Sequence, residues 1–148
     1  MLQSQLRRTV ADVPGLANVR LCKGIYVEPL SLAFHDPDEI RGSFLATLDA
    51  LFDQGAYVGI ATHDEVLIGE ALRRIAARGL TPEEVEFQML LGVRAHRGDE
   101  LVRAGHRLRV YVPFGTHWYE YSIRRLQENP RLADYVAVDT LRRLRLPV

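Results

Sequence analysis

The chain has 148 residues, 47% of them hydrophobic and 26% charged, which suits a folded globular core and excludes a disordered segment. Lysine plus arginine number 19 and aspartate plus glutamate 19, so the net charge is zero. That balance leaves no overall basic field for nucleic acid and no acidic tail, and any electrostatic function must come from local charge.

The first predicted element is a helix over about residues 2–13, followed by a strand in NVRLCK at 18–23. A second helix lies within DPDEIRGSFLATLDALFDQG, with Asp36 as its cap, Pro37 in its first turn and Gly55 at its end. The pattern then repeats. AYVGIA at 56–61 is the second strand, DEVLIGEALRRIAARG the next helix, and Gly79 its stop. TPEEV places Thr81 and Glu84 at capping-box spacing ahead of a third strand, EFQMLL at 86–91. A helix around AHRGDELVRAG, a fourth strand RLRVYV at 107–112 and a helix in HWYEYSIRRLQENP complete the run.

Four consecutive βα units with no low-complexity linker predict one α/β domain over residues 1–148. Such units imply parallel strands joined by right-handed crossovers, either as an open doubly wound sheet or as part of a (β/α)8 barrel. Length alone favours the open, flavodoxin-like sheet, because a closed barrel typically takes roughly 250 residues.

In both architectures chemistry collects at the C-terminal ends of the strands. Arg20 and Lys23-Gly24 fall at the end of the first strand, Thr62-His63-Asp64 after the second, Gln88 in the third and Tyr111 in the fourth. Polar strand ends often do no more than meet solvent. Arg20 and Gln88, however, lie inside strands expected to be buried, where a polar side chain needs a partner, and a ligand is a natural one. Arg124 and Arg125, with Glu128 a turn further on, form either a solvated helix face or an anion clamp.

The single cysteine, Cys22, cannot build an internal disulfide framework, and the five histidines are too scattered to make a zinc site with it. No metal is therefore expected. No apolar run is long enough to span a bilayer, and MLQSQLRRT lacks the order of a signal peptide, so the expected location is cytoplasmic. The C-terminal LRRLRLPV reads as a terminal helix with solvated arginines, with contact to an anionic membrane surface as the alternative.

Taken in series, VRLCKGIYVEP, ATHD, EFQMLLGV, RVYVPFG and WYEYSIRRLQENP resemble the C-terminal half of bacterial monofunctional proline dehydrogenases, over most of the chain from Gln3 to about Pro130. The resemblance implies about strands five to eight of a distorted (β/α)8 barrel that binds FAD. It also implies oxidation of L-proline to Δ1-pyrroline-5-carboxylate, with electrons passed to a membrane quinone and hence peripheral contact at the inner membrane face as an expectation. The open-sheet reading then takes second place.

By that resemblance Arg20 is the catalytic arginine beside the flavin N5 edge, where fixed positive charge favours the reduced, anionic flavin. Lys23, Gly24 and Ile25 match the segment that runs along the cofactor, with Ile25 where the family has alanine and Cys22 where it has valine. Thr62 and His63 match residues at the FAD phosphates and adenosine. Gln88 matches a glutamine at the adenine-ribose end, and Gln3 the glutamine at the end of strand four that bonds the isoalloxazine. Tyr111 matches the tyrosine over the proline ring. Arg124 and Arg125 match the pair that grips the substrate carboxylate, with Glu128 holding their guanidinium forks.

The family's strand-one lysine and strand-three aspartate have no counterpart here. Half a barrel leaves two sheet edges and an inner face to be covered. The expectation is an enzyme active only with an N-terminal half-barrel supplied by another chain, or with self-association of two copies. The alternatives are an inactive self-associating fragment and an open-sheet domain binding an anionic nucleotide.

Overall fold

A computed structural model describes residues 2–3, 17–24, 28–112, 114–116, 119–120 and 123. The chain divides into two compact units, residues 1–88 and residues 89–148.

In the first unit the strands β1 (Leu2–Gln3), β2 (Asn18–Cys22), β3 (Tyr57–Ala61) and the start of β4 (Val85–Leu90) lie side by side in chain order. β1 to β4 pair in parallel: Leu21 sits opposite Leu2 and Ile60, and Ile60 opposite Phe87. The strands follow one another in chain order with no reversal of that order, the switch point that a doubly wound sheet requires. Right-handed crossovers that always step the same way place their helices on one face, as in a barrel wall.

The two faces differ in chemistry because side chains alternate along each strand. Val19, Leu21, Val58, Ile60, Val85 and Phe87 are all buried on the helix-covered face. The opposite face carries Arg20, Gly59 and Glu86 in one row and Cys22, Ala61 and Gln88 in the next. One face is the core and the other is free for chemistry.

Helix α1 (Pro37–Asp53) starts where Asp36 turns its side chain onto two backbone N–H groups, with Oδ1 accepting from Asp38 at 2.9 Å and Glu39 at 3.0 Å. Pro37 fits the first turn, where no N–H partner is needed. Gly55 reverses the chain with φ 71°. Ile40, Phe44, Leu48, Leu51 and Phe52 form the buried stripe of α1, which packs on β2, β3 and α2.

Helix α2 (Glu65–Arg78) is capped by Asp64 and closed by Gly79 at φ 63°, buries Leu67, Ile68, Ala71 and Ile75, and is laced to α1 at the surface. Arg74 reaches Asp49 at 3.0 Å, Arg78 reaches the same carboxylate at 2.9 Å, and Arg78 lies over the Phe52 ring. These half-exposed pairs orient the helices more than they stabilise the fold.

Two expectations are corrected. Leu2–Gln3 form a strand rather than the start of a helix; the rest of that predicted helix lies outside the described residues. Arg20 is exposed and Gln88 half-buried, not enclosed within the sheet, because no described helix covers their face. The Thr81–Glu84 pair does form: Glu84 accepts from the Thr81 N–H at 2.9 Å and its hydroxyl at 3.0 Å, closing a single turn that feeds β4.

In the second unit, Met89–Leu90 complete β4, and α3 (Ala95–Arg103) leads to β5 (Leu108–Tyr111). The Leu91 N–H donates to the Tyr111 carbonyl at 2.9 Å. A Cβ on Gly98 would meet Leu108 Cδ2 at 3.0 Å, so glycine lets α3 lie close on this strand. Of the last predicted helix, Tyr119, Glu120 and Ile123 are helical, and the remainder lies outside the described residues.

Candidate functional site at the strand ends

Three adjacent strands build the centre of the site. Arg20 on β2 stands in register with Gly59 on β3, and Gly59 with Glu86 on β4. One step along, Cys22, Ala61 and Gln88 form the next row, and Gln3 is in register with Cys22.

Gln88 leans back across the sheet. Its Oε1 accepts from Arg20 Nε at 2.8 Å, and its Nε2 donates to Glu86 Oε1 at 2.7 Å. Gly59 makes the crossing possible, because a Cβ there would overlap the Gln88 side-chain amide, with Cδ only 2.9 Å away. The Glu86 side chain is buried, 2% exposed, and polar at a depth where hydrogen bonding is needed to offset the loss of water. The result is a line of charge and dipole from a buried carboxylate to an open guanidinium.

Beside that line lies Cys22, the chain's single cysteine. Burial pushes its pKa up, and this outweighs the opposing pull of the Arg20 charge. The site does not hold Cys22 as a ready thiolate nucleophile.

A second cluster forms in the loops just past β2 and β3. Asp64 Oδ1 caps α2 through the Val66 N–H at 3.0 Å, while Oδ2 accepts from Arg41 Nε at 3.0 Å and Lys23 Nζ at 3.4 Å. The Asp64 N–H donates to Thr62 Oγ1 at 3.1 Å. Thr62 is buried and His63 half-buried; Gly24, next to Lys23, has φ 88°, a conformation that suits glycine. One carboxylate thus ties the first loop, the second loop and α1 together.

Burial raises the Asp64 pKa, but the Arg41 hydrogen bond, the Lys23 and Arg41 charges and the Lys23 hydrogen bond outweigh it and hold the carboxyl below its ordinary value. A depressed folded-state pKa contributes stability that is fully present above the unfolded value, about 3.9, and is lost as pH falls through the folded one. Asp64→Asn keeps a good helix cap and removes the charge. Its melting temperature is therefore expected below wild type at pH 7, with the gap narrowing below about pH 4. A gap that stays constant from pH 3 to 7 contradicts the coupling.

The predicted residues sort as follows. Arg20 and Gln88 are bonded to each other, and Lys23 and Thr62 each bond to Asp64. Gly24 and His63 lie beside them in the same loops. Gln3 is placed by its backbone alone. Tyr111 ends β5 in the second unit, its side chain 48% exposed. Ile25, Arg124, Arg125 and Glu128 lie outside the described residues.

Sequence reasoning missed Glu86, Gly59 and Arg41 as site residues, and marked Asp64 only as a polar strand end with no role of its own. Glu86 was within reach, since it is two residues from Gln88 and alternation puts both on one face. Nothing local marks Arg41, which reaches the loop from α1. Among the described residues, no three His, Cys, Asp or Glu are grouped to hold a metal ion, and no helix is long and apolar enough to cross a membrane.

The family model for proline dehydrogenase matches residues 30–137. Over 146 residues the chain is 36% identical to proline dehydrogenase of Deinococcus radiodurans, covering 96% of this chain and 47% of that protein. It is 35% identical to proline dehydrogenase 1 of Bacillus subtilis over 147 residues, or 97% of this chain and 49% of the relative. Proline dehydrogenase 2 of the same organism is 35% identical over 134 residues, with 88% and 44% covered. The chain spans about half the length of the curated relatives it matches.

Proposed function

The chain belongs to the proline dehydrogenase family, and from that premise we propose that it supplies strands five to eight of an FAD-binding (β/α)8 barrel that oxidises L-proline to Δ1-pyrroline-5-carboxylate. The observation that carries this reading is the gathering of Arg20, Lys23, Thr62, His63 and Gln88 at the C-terminal side of adjacent parallel strands. That is where a barrel holds its chemistry.

The donor set fits FAD. Arg20 offers a fixed cation on the open face, suited to the electron-rich edge of the flavin ring, and Gln88 holds its Nε. Lys23, Thr62 and His63 cluster in the loops, where cation and donors suit the phosphates and adenosine, and Gly24 leaves room for close backbone approach. Ile25 and Gln3 complete the proposed cofactor contacts.

When bound, FAD supplies the two-electron acceptor that lets the proline C–N bond become an imine. The chain's own side chains bind and orient. Arg124 and Arg125 clamp the substrate carboxylate, Glu128 steadies them, and Tyr111 packs over the ring. A membrane quinone accepts the electrons, which places the enzyme in the cytoplasm against the inner membrane face.

The remaining strands of the proposed barrel are not among these 148 residues, which span about half the length of the relatives. Isolated, this chain is expected to show no proline:dye oxidoreductase activity, because no residue of it corresponds to the family's strand-one lysine and strand-three aspartate, which orient the substrate. Co-produced with the part of the Deinococcus relative that its match leaves out, it is expected to gain activity. Turnover by the pure isolated chain contradicts the proposed division of the site.

A further inference from the structure

Glu86 is a buried carboxylate on the face that carries Arg20, and none of the binding roles above uses it. We infer that Glu86 is a positioning residue that aims the Arg20 guanidinium through Gln88, and that Gly59 is the gap through which the aim is taken.

Glu86 Oε1 accepts from Gln88 Nε2, so the group Gln88 turns toward Glu86 is its NH2. That fixes the amide direction and leaves its carbonyl oxygen facing Arg20 Nε, at 2.8 Å. Without Glu86 only the Arg20 Nε–H holds the amide in this direction. Flipped, it would point an NH2 at a cation and lose the bond. Gly59 is required for a different reason. Gln88 is one row further along the sheet than Arg20 and must fold back over β3, and any side chain at position 59 occupies its path.

The functional weight of this inference rests on reading Arg20 as the charge beside the flavin, but its test does not. Exchange of the Arg20 Nε–H with solvent is followed by NMR on the full chain without cofactor, the signal being assigned by its loss in Arg20→Lys. Glu86→Gln, which can donate to Gln88 and release its direction, is expected to speed exchange about tenfold, the scale of one lost hydrogen bond to a charged group. Gly59→Ala is expected to do the same without touching any polar group.

The decisive variant is the exchange of partners, E86Q with Q88E, in which an amide donates to a carboxylate that accepts from Arg20. It restores the charge count and the bond that Arg20 donates, with the bond between positions 86 and 88 reversed, and slow exchange is expected to return. Circular dichroism on each variant separates loss of aim from loss of fold. Unchanged exchange in folded Glu86→Gln, or failure of the folded double variant to slow it again, overturns the inference.

In the co-produced enzyme the same pattern is expected in kcat, lowered by Glu86→Gln and recovered by the exchange, at unchanged flavin content and proline KM. A colourless enzyme whose NMR pattern still holds removes the flavin reading and leaves the positioning role standing. A kcat that ignores Glu86→Gln while Arg20→Lys lowers it overturns that role in turnover.

Discussion

Replacing Arg20 by glutamine in the co-produced enzyme is expected to lower kcat by about a hundred- to a thousandfold, the range typical of removing one preorganised donor from a site of developing negative charge. The cause is electrostatic. Arg20 stands on the open face with Nε fixed by Gln88, so its charge is in place before the reaction begins and needs no reorganisation during it. Arg20→Lys keeps a charge but cannot both accept Gln88's alignment and present a planar fork, so it recovers only part of the loss. Proline KM is expected to move little, since the proposed substrate contacts are made by other residues. Stopped-flow reduction with proline, with flavin content measured alongside, checks this. A kcat within about twofold of wild type in Arg20→Gln would return Arg20 to the role of a solvated strand residue.

The second large effect belongs to the proposed substrate clamp. Arg124→Lys or Arg125→Lys is expected to raise proline KM about ten- to a hundredfold while flavin content is unchanged, because lysine offers a point charge where a carboxylate is met by a planar pair of N–H groups. Loss of one charge-assisted hydrogen bond costs roughly 1.5–3 kcal/mol, which is that range of affinity. Glu128→Gln is expected to give a weaker version, since it acts on the arginines and not on the substrate. An ordinary exposed helix face would instead leave KM within about twofold and stability within about half a kcal/mol. Steady-state kinetics on the three variants separates the two readings.

The parts of this fold that were legible in the sequence are those fixed by local chemistry. Asp36, Pro37 and Gly55 bound α1, and Gly79 closes α2, because caps and stops are settled within a few residues. β1 was not legible. Its two residues are held by pairing with Leu21 and Cys22, a contact made across a long stretch of chain, while the apolar spacing around Leu2 reads equally well as helix.

The same limit applied at the site. Arg20 and Gln88 were marked by being polar inside strands, but which face the helices would leave open depends on the direction of every crossover, a property of the whole sheet. The Glu86–Gln88–Arg20 line needed the register of three strands, and Asp64's hold on Lys23 and Arg41 needed α1 beside the loops. The strand order, without a switch point, also speaks against the doubly wound sheet that length alone had favoured.

The central claim is that the strand ends of this chain form part of a flavin site that serves proline. The most direct measurement is the visible absorbance spectrum of the co-produced complex, recorded without oxygen before and after addition of L-proline. The account predicts the near-ultraviolet and blue bands of a bound flavin, fading when L-proline is added and absent when Arg20, Lys23 and Thr62 are replaced together by alanine. A folded complex that carries no flavin, or one whose flavin bands are untouched by L-proline, contradicts it.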